Sequence, residues 1–274
     1  MNARKRNEPE LPELAPATIS EADGVRYLHL GTPWVQGAMR MRRSLALELE
    51  YIQRMMVWML LRPSDALTRG RAVQLGLGAA AITRFCHSTL RMRCTAVELN
   101  PSVIDACRLW FHLPGNSARF ELLQMDAADF VTDASRIDSV SALCVDLYDH
   151  DAASPVLDSA AFYRDCQRLL VDGGVMTVNL FGRDASFERS AAHIAAAFGD
   201  AQVWSLRPTT EGNTIVVALK HASMPDRAEL ALRADNIERR FKLPASKWLR
   251  MIRPWPPAAL PASPASPLAA PAEP

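Results

Sequence analysis

The sequence predicts an α/β fold: a Rossmann-like, doubly wound and mostly parallel seven-stranded sheet that ends in an antiparallel hairpin. From Arg71 onward, short apolar runs typical of buried strands alternate with segments of helical periodicity. The first run, "AVQL", leads directly into the glycine turn "GLG" and then into a helix. The last two runs, "AQVWSLRP" and "NTIVVALK", are separated only by "TTEG". Because that spacer is too short for a crossover helix, these two strands must pair antiparallel.

A small β-hairpin and a helix are expected before this sheet. The segment "VRYLHLGTPWVQGAMRM" alternates apolar and polar residues around the turn at Gly31 to Pro33, which predicts the hairpin. Apolar residues at helical spacing follow until Pro63 ends the helix. The strands expected before the closing hairpin are 72–75, 94–99, 119–125, 140–147 and 175–180. The helices expected between them are one from Ala80, 101–111, a short one near Phe130, 159–170 and 187–198.

The chain divides into five segments by composition and periodicity. The expected segments are a disordered tail (1–24), the β-hairpin and helix (25–62), the Rossmann-like domain (63–222), a C-terminal helical segment (223–253) and a second disordered tail (254–274). The tails are rich in Pro, Ala and Ser and cannot bury enough apolar surface to offset the entropy of ordering. The helical segment offers a surface for the sheet or for a second subunit, so a homodimer is one expected assembly.

Composition excludes several classes of function. Lys and Arg total 31 against 30 Asp and Glu, so the net charge gives no reason to expect a nucleic acid or a membrane as partner. The five cysteines form no CxxC pair, and no His/Cys cluster has metal-ligand spacing, so we expect reduced thiols and no metal. The N-terminus has no apolar signal-like core. We therefore expect a cytoplasmic protein whose chemistry depends on carboxylates and an organic cofactor.

Candidate site residues stand where the predicted parallel strands end. Ligands of doubly wound sheets bind outside the carboxyl ends of the strands at the topological switch point. Gly76 and Gly78 form the turn after the first strand, and Glu98, Asp126 and Asp146 each close a later strand. The glycines permit a tight turn and close approach of a nucleotide, although such a turn alone is as often merely structural.

Glu98 and Asp126 strengthen the prediction of a nucleoside site. Glu98 follows Gly76 by 22 residues and ends the next strand, where an acid accepts hydrogen bonds from both ribose hydroxyls. Its alternative role is that of a solvated acid at a strand end. Asp126 is placed to accept a hydrogen bond from an adenine amino group, or else to cap the helix that begins near Ala127.

An ordered set of motifs resembles a known family. The motifs are "VQGAMRM", "LELEYIQRMM", "LGLGAAA", "AVELNPSVIDACR", "MDAADF" and the long segment that begins with "VDLYDHDAAS". Together they resemble the spermidine synthase (polyamine aminopropyltransferase) family over roughly Val25 to Lys220. The resemblance implies decarboxylated S-adenosylmethionine as co-substrate, with Glu98 on the ribose and Asp126 on the adenine. It also implies a polyamine acceptor held by Asp146 and Asp149.

The spacing "DLYD" matches the paired acids of that family. An acceptor amine, with a pKa of about 10, must lose a proton before it attacks the carbon beside a sulfonium. Asp146 is the candidate for orienting the amine and taking that proton, and Asp149 is the candidate for holding acceptor charge. Tyr148 offers an aromatic face to an ammonium. The alternative is a polar loop whose acids serve turns.

Two residues of the N-terminal elements have weaker assignments. Gln36 lies on the early hairpin, where family members use a glutamine near the cofactor. Tyr51 lies in the segment that resembles the family's substrate-side helix, but its period also fits the core face, and packing is the preferred interpretation.

The chain departs from the family pattern at two positions. Ala79 stands where family members place an aspartate that pairs with the aminopropyl amine, and His150 replaces the usual proline after the second acid. Losing a charge-assisted hydrogen bond forfeits about 1.5–3 kcal/mol. Three explanations are open: another acid replaces it, the cofactor is ordinary S-adenosylmethionine and the reaction is methyl transfer to a small molecule, or the chain is an inactive nucleoside-binding homologue.

Overall fold

The computed structural model describes residues 14–148, 157–181 and 185–256. A small antiparallel sheet at the N-terminus consists of β1 (Ala17–Ala22), β2 (Val25–Leu30) and β3 (Gly37–Arg40). The strands of the large sheet are β4 (Arg71–Leu75), β5 (Arg93–Glu98), β6 (Phe120–Gln124), β7 (Val140–Val145), β8 (Leu170–Phe181), β9 (Val203–Ser205), β10 (Asn213–Leu219) and β11 (Arg253–Pro254). The helices are α1 (Glu50–Met55), α2 (Trp58–Leu61), α3 (Ala81–Arg84), α4 (Pro101–Trp110), α5 (Ala127–Thr132), α6 (Ala160–Leu169), α7 (Ala185–Phe198), α8 (Arg227–Phe241) and α9 (Ala245–Met251).

The order of the large sheet is β11-β9-β10-β8-β7-β4-β5-β6. β4 pairs in parallel with both β5 and β7. The chain adds β5 and β6 on one side of β4, then crosses over and adds β7 and β8 on the other side. β10 pairs antiparallel with β8 and β9, which is the predicted closing hairpin. The α/β fold with its seven predicted strands is confirmed, and the two-residue β11 is added at the edge. The switch point therefore lies between β4 and β7.

Two apolar layers cover the large sheet. Successive residues of a strand face opposite sides, so Ala72 and Cys144 belong to one layer while Val73 and Val145 belong to the other. The first layer holds the core residues of α1, α2, α4, α8 and α9, and the second those of α5, α6 and α7. The methionines of the helical segment before Pro63, which are Met55, Met56 and Met59, are buried in the first layer.

The N-terminal tail is more ordered than predicted. Disorder was expected through residue 24, but β1 pairs with β2 along its whole length, from Ala17 opposite Leu30 to Ala22 opposite Val25. Asp23 and Gly24 connect them with φ of 51° and 74°, the left-handed pair that a two-residue hairpin turn requires. The prediction was wrong for these residues because the Asp-Gly turn signal lay beside a charged, proline-rich stretch.

The C-terminal segment also differs from the prediction at its end. The helical segment expected at 223–253 contains α8 and α9, which pack on the first layer of the same chain through residues such as Leu230 and Trp248. Disorder was expected from residue 254, but Pro254 pairs with Trp204 in the sheet, and Trp255 is buried. The Trp side chain gains enough apolar burial to order this short stretch despite its prolines.

Side-chain hydrogen bonds hold the first turn of α4 and connect it to the N-terminal segment. Asn100 caps α4 by accepting a hydrogen bond from the Ser102 amide, and Pro101 occupies the first turn. The Asn100 side-chain amide also donates to the Ala15 carbonyl at 2.8 Å, and the Ser102 hydroxyl accepts from the Ala17 amide at 2.7 Å. These contacts attach the small sheet to the first turn of α4 and so fix its position over the switch point.

Candidate active site

A cavity of about 850 Å³ opens at the carboxyl ends of β4, β5 and β7, beneath the small sheet. Strand ends of the large sheet form its floor, while α1, the loop between β2 and β3, and the turn between β9 and β10 form its rim. Of the residues predicted from the sequence, Gln36, Gly76, Gly78, Glu98, Asp126, Asp146 and Tyr148 line it. Asp149 lies outside the described residues.

The glycine turn after β4 leaves no room for side chains. Gly76 has φ of 83°, and a Cβ atom there would lie 2.1 Å from the Asp146 backbone oxygen. Gly78 has φ of 49°, and its Cβ would lie 3.0 Å from the Gln36 carbonyl oxygen. The turn therefore requires glycine at Gly76 for both conformation and space.

The Glu98 carboxylate bridges two backbone segments at the cavity floor. Its Oε2 accepts a hydrogen bond from the Leu77 amide at 2.8 Å, and its Oε1 accepts one from the Asn100 amide at 2.9 Å. Burial raises the pKa of Glu98, and these amide hydrogen bonds act in the opposite direction. The side chain thus fixes the glycine turn against the start of α4. The Leu99 amide also acts on this carboxylate, so only part of its acceptor capacity remains for a ligand.

Asp126 performs the capping role that the sequence offered as an alternative. Its Oδ1 accepts a hydrogen bond from the Ala128 amide at 2.8 Å, at the N-terminus of α5. Only Oδ1 makes this bond, and the residue also lines the cavity. The two predicted roles are therefore compatible in geometry.

Asp146 lies directly after β7 and has two side-chain hydrogen-bond partners. Its Oδ1 accepts a hydrogen bond from Asn179 Nδ2 at 2.9 Å, and Asn179 Oδ1 in turn accepts one from Asn213 Nδ2 at 3.1 Å. Burial raises the pKa of Asp146 to about 6, while hydrogen bonds from Asn179 and Tyr51 lower it. Asp146 is therefore a weakly solvated carboxylate that still ionises near neutral pH.

Two tyrosines stand beside Asp146. Tyr51 packs against the first apolar layer, as the sequence favoured, and its side chain also lines the cavity from α1. Burial, followed by the Asp146 charge, raises the pKa of Tyr51 well above its usual value. The Tyr148 hydroxyl donates to the Asn179 carbonyl at 3.0 Å and accepts from the Phe181 amide at 2.6 Å. Burial raises the Tyr148 pKa. Tyr148 thus presents its ring to the cavity while its hydroxyl holds β8.

Ala79 does not line the cavity. Its side chain is buried, and a Cβ atom on Gly37, the first residue of β3, would lie 2.6 Å from the Ala79 Cβ. The start of the small sheet therefore packs directly on the turn residue that carries an acid in the family pattern.

The charge of the cavity wall is wholly negative among the residues that the structure describes. No Lys, Arg or His side chain lines this part of the cavity, and the acids that do are Glu50, Glu98, Asp126, Asp146 and Glu211. Sequence reasoning missed Glu50 and Glu211. Glu50 begins α1 and Glu211 lies in the turn "TTEG", so neither follows a strand of the parallel sheet. In the described residues, no group of three His, Cys, Asp or Glu is arranged to hold a metal ion.

Comparison with known proteins decides the family. No family model matches the sequence. The polyamine aminopropyltransferase of Neisseria meningitidis serogroup A is 30% identical over 227 residues, which cover 82% of this chain and 84% of that protein. The polyamine aminopropyltransferase of Chromobacterium violaceum is 29% identical over 252 residues, which cover 91% of this chain and 94% of that one. The chain belongs to the polyamine aminopropyltransferase family. The resemblance predicted from the motifs is confirmed.

Solved structures agree on the fold. A probable spermidine synthase from Corynebacterium glutamicum superposes with a TM-score of 0.67 at 19% identity, covering 81% of this chain and 83% of that one. Human methyltransferase-like protein 13, in complex with SAH, superposes with a TM-score of 0.63 at 22% identity, covering 76% and 96%. Aminopropyltransferases and methyltransferases thus share this Rossmann-like architecture, so the fold alone does not distinguish the two reactions.

No helix in the described ranges of the chain combines the length and the apolar character that crossing a membrane requires.

Proposed function

We propose that this aminopropyltransferase family member transfers an aminopropyl group from decarboxylated S-adenosylmethionine to a polyamine and releases methylthioadenosine. The observation that carries the proposal is the cavity wall, which has five carboxylates and no cationic side chain among its described residues. Both co-substrates are cations, a sulfonium and an ammonium, and such a wall attracts both.

The nucleoside end is assigned to the floor of the cavity. Glu98 accepts from the ribose hydroxyls and Asp126 from the adenine amino group, with Gly76 and Gly78 allowing close approach of the backbone. Support comes from the position of all four in the cavity wall, where β4, β5 and β6 end, and from the acceptor capacity that remains on the two carboxylates.

The acceptor end is assigned to Asp146 and the rim. The amine nitrogen attacks the methylene carbon beside the sulfonium, the carbon–sulfur bond breaks, and the bonding electrons remain on sulfur as a neutral thioether. The proton lost from nitrogen passes to Asp146, whose raised pKa of about 6 narrows the gap to an amine. Tyr148 and Asp149 bind acceptor charge, and Gln36 lies at the junction of the two co-substrates.

Glu50 and Glu211 are our candidates for the charge that Ala79 lacks. Both are carboxylates on the rim, and neither depends on the glycine turn for its position. Glu50 is already paired with Arg54 Nη2 at 2.6 Å, so Glu211 is the first of the two candidates. An amine end held by an acid on the rim gains a charge-assisted hydrogen bond comparable to the one lost. Of the three explanations for Ala79, replacement by another acid is therefore the one we adopt.

Methyl transfer from ordinary S-adenosylmethionine is the second candidate, and Ala79 favours it because an acid at that position would repel the carboxylate of this cofactor. The five acids of the wall argue against it, since the same carboxylate would meet no cationic side chain among the described residues.

Mass spectrometry of the products distinguishes these reactions. The purified protein is incubated with a pool of diamines and polyamines and with either form of the cofactor. Methylthioadenosine and an amine heavier by one aminopropyl group, formed only with decarboxylated cofactor, are the expected products. S-adenosylhomocysteine would instead establish methyl transfer, and absence of both products would refute turnover on these amines.

The variant Asp146→Asn tests the assigned base. It should abolish turnover while leaving methylthioadenosine affinity within about twofold, because the nucleoside contacts remain. Asp105→Asn is the matched control, since it removes one carboxylate from the exposed face of α4. Unchanged turnover in Asp146→Asn would remove Asp146 as the base.

A further inference from the structure

A second concave site lies behind α1 and has the opposite charge. This cleft has a volume of about 510 Å³, and its wall contains five cationic side chains and the apolar side chain of Met251. We call this site the basic cleft. Its cationic residues are Arg207, Arg227, Lys247, Arg250 and Arg253. They come from separate parts of the chain: the segment after β9, the first turn of α8, α9 and β11.

The positive charge of the basic cleft is not balanced by the protein. Within residues 14–148, 157–181 and 185–256, none of the five cations forms a salt bridge. Glu50 is the acid on the described wall, and it is already paired with Arg54 Nη2 at 2.6 Å. Gathering like charges in one concavity is unfavourable without a counter-charge.

The elements that present these cations are held in place. Arg54 is buried, and its Nη1 donates to the Arg207 carbonyl, which fixes that backbone beside the cleft. Trp248 anchors α9 in the core between Lys247 and Arg250. Arg253 lies in β11, opposite Ser205 of β9. An anion that enters the cleft therefore meets charges whose backbone positions are already set.

We propose that the basic cleft binds an oligophosphate chain. Five cations exceed what a single carboxylate or phosphate would neutralise, and the guanidinium groups match phosphate oxygens in their planar, two-pronged geometry. The described wall offers no aromatic side chain on which a base could stack, so recognition depends on the phosphates. The cleft shares only Glu50 with the described wall of the acidic cavity and has the opposite charge. The inference does not rest on the proposed function.

Isothermal titration calorimetry of the full chain with inorganic triphosphate tests the proposal at fixed ionic strength. Saturable 1:1 binding is expected, at least tenfold tighter than that of inorganic phosphate, and a nucleoside triphosphate should bind within about threefold of inorganic triphosphate. A nucleoside triphosphate that binds much more tightly than inorganic triphosphate would show that the protein also recognises the base. A single-stranded oligonucleotide that binds more tightly per phosphate than inorganic triphosphate would identify a surface for nucleic acids. Either result would overturn the proposal, as would the absence of saturation.

Charge-matched variants distinguish binding in the cleft from a general attraction of anions to positive charge on the protein. The double variant Arg207→Gln/Arg250→Gln should weaken triphosphate binding at least tenfold. Arg42→Gln/Arg43→Gln removes the same charge from exposed residues outside the cleft and should change binding less than threefold. Equal thermal unfolding temperatures would show that both variants are folded. Equal weakening in both would mean that the anion responds only to net charge, which would refute a site.

Discussion

The Asp146 carboxylate is buried and accepts hydrogen bonds from Asn179 and Tyr51. Burial raises its pKa and the hydrogen bonds lower it, and the balance lies at about 6. A proton acceptor must be ionised to work, so the acid limb of the kcat/KM profile should fall as pH drops through this value. The pH dependence of kcat/KM therefore reports on the pKa of Asp146.

Replacing Tyr51 by Phe should move that limb to higher pH. The tyrosine hydroxyl stabilises the ionised carboxylate, so its removal raises the pKa of Asp146 further. The measurement is the pH dependence of kcat/KM in the wild type and in Tyr51→Phe. Tyr163→Phe is the control, since that hydroxyl contacts Asp158 instead. A limb that stayed in place, or moved to lower pH, would contradict the assignment of Asp146 as the titrating group.

Gly76 tests the geometry of the turn. Gly76→Ala places a methyl group against the Asp146 backbone oxygen and keeps φ near 83°, so we expect a loss of about 1–3 kcal/mol in the free energy of unfolding. Gly115→Ala is the matched control, because a Cβ there meets nothing within 4 Å. Urea denaturation of both variants is the measurement. Equal stabilities would show that the turn can relax around a side chain.

Sequence reasoning found the residues of the floor because the topology gathers them. Glu98, Asp126 and Asp146 each end a strand of a parallel sheet, and parallel strand ends meet at one edge whatever the details of packing. Glu50 and Glu211 were missed, and the place of Tyr51 in the cavity wall was not predicted beside its core packing. They enter from a helix and a hairpin turn whose direction is set by tertiary packing, and no local pattern encodes that direction.

At the scale of elements, the first turn of α4 connects the cavity floor to the small sheet. Asn100 both caps the helix and holds the Ala15 carbonyl, and Ala15 lines the cavity. The segment just before β1, far from β5 in sequence, is thereby made part of the same wall. Sequence patterns predicted β2 and β3 but not β1, whose pairing depends on the Asp23-Gly24 turn.

Asn100→Ala should therefore have two separable effects. Loss of the cap should cost about 0.5–2 kcal/mol of stability, and loss of the tie to Ala15 should weaken methylthioadenosine binding severalfold. Asp226→Ala removes a comparable cap from α8 and should cost similar stability with no change in affinity. Chemical denaturation and calorimetry measure the two quantities. Equal affinities in the two variants would show that the small sheet needs no such tie.

At the scale of the whole molecule, a net charge of +1 conceals a strong separation of charge. The acidic cavity and the basic cleft lie on either side of Glu50, which lines both. The near-zero net charge gave no reason to expect a nucleic acid or a membrane as partner, and it carries no information on the local fields, because the fold sorts the acids and the bases into different concavities. Only the arrangement of α1 against α9 and the β9–β10 hairpin reveals this sorting.

This separation predicts how salt affects binding. A polyamine is attracted by several carboxylates, so its KM should rise severalfold between about 0.05 and 0.5 M NaCl as the Debye length shrinks from more than 10 Å to a few ångströms. Methylthioadenosine is neutral, and the proposed function assigns it to the same cavity, so its dissociation constant should change less than twofold and serves as the internal control. The same salt series with Glu211→Gln should show a shallower dependence, because one attracting charge is gone. If salt changed the dissociation constant of the neutral nucleoside as much as the KM of the polyamine, salt would be affecting the folded structure and not the electrostatic attraction of the cavity. The proposal that the acidic wall attracts the acceptor would then be wrong.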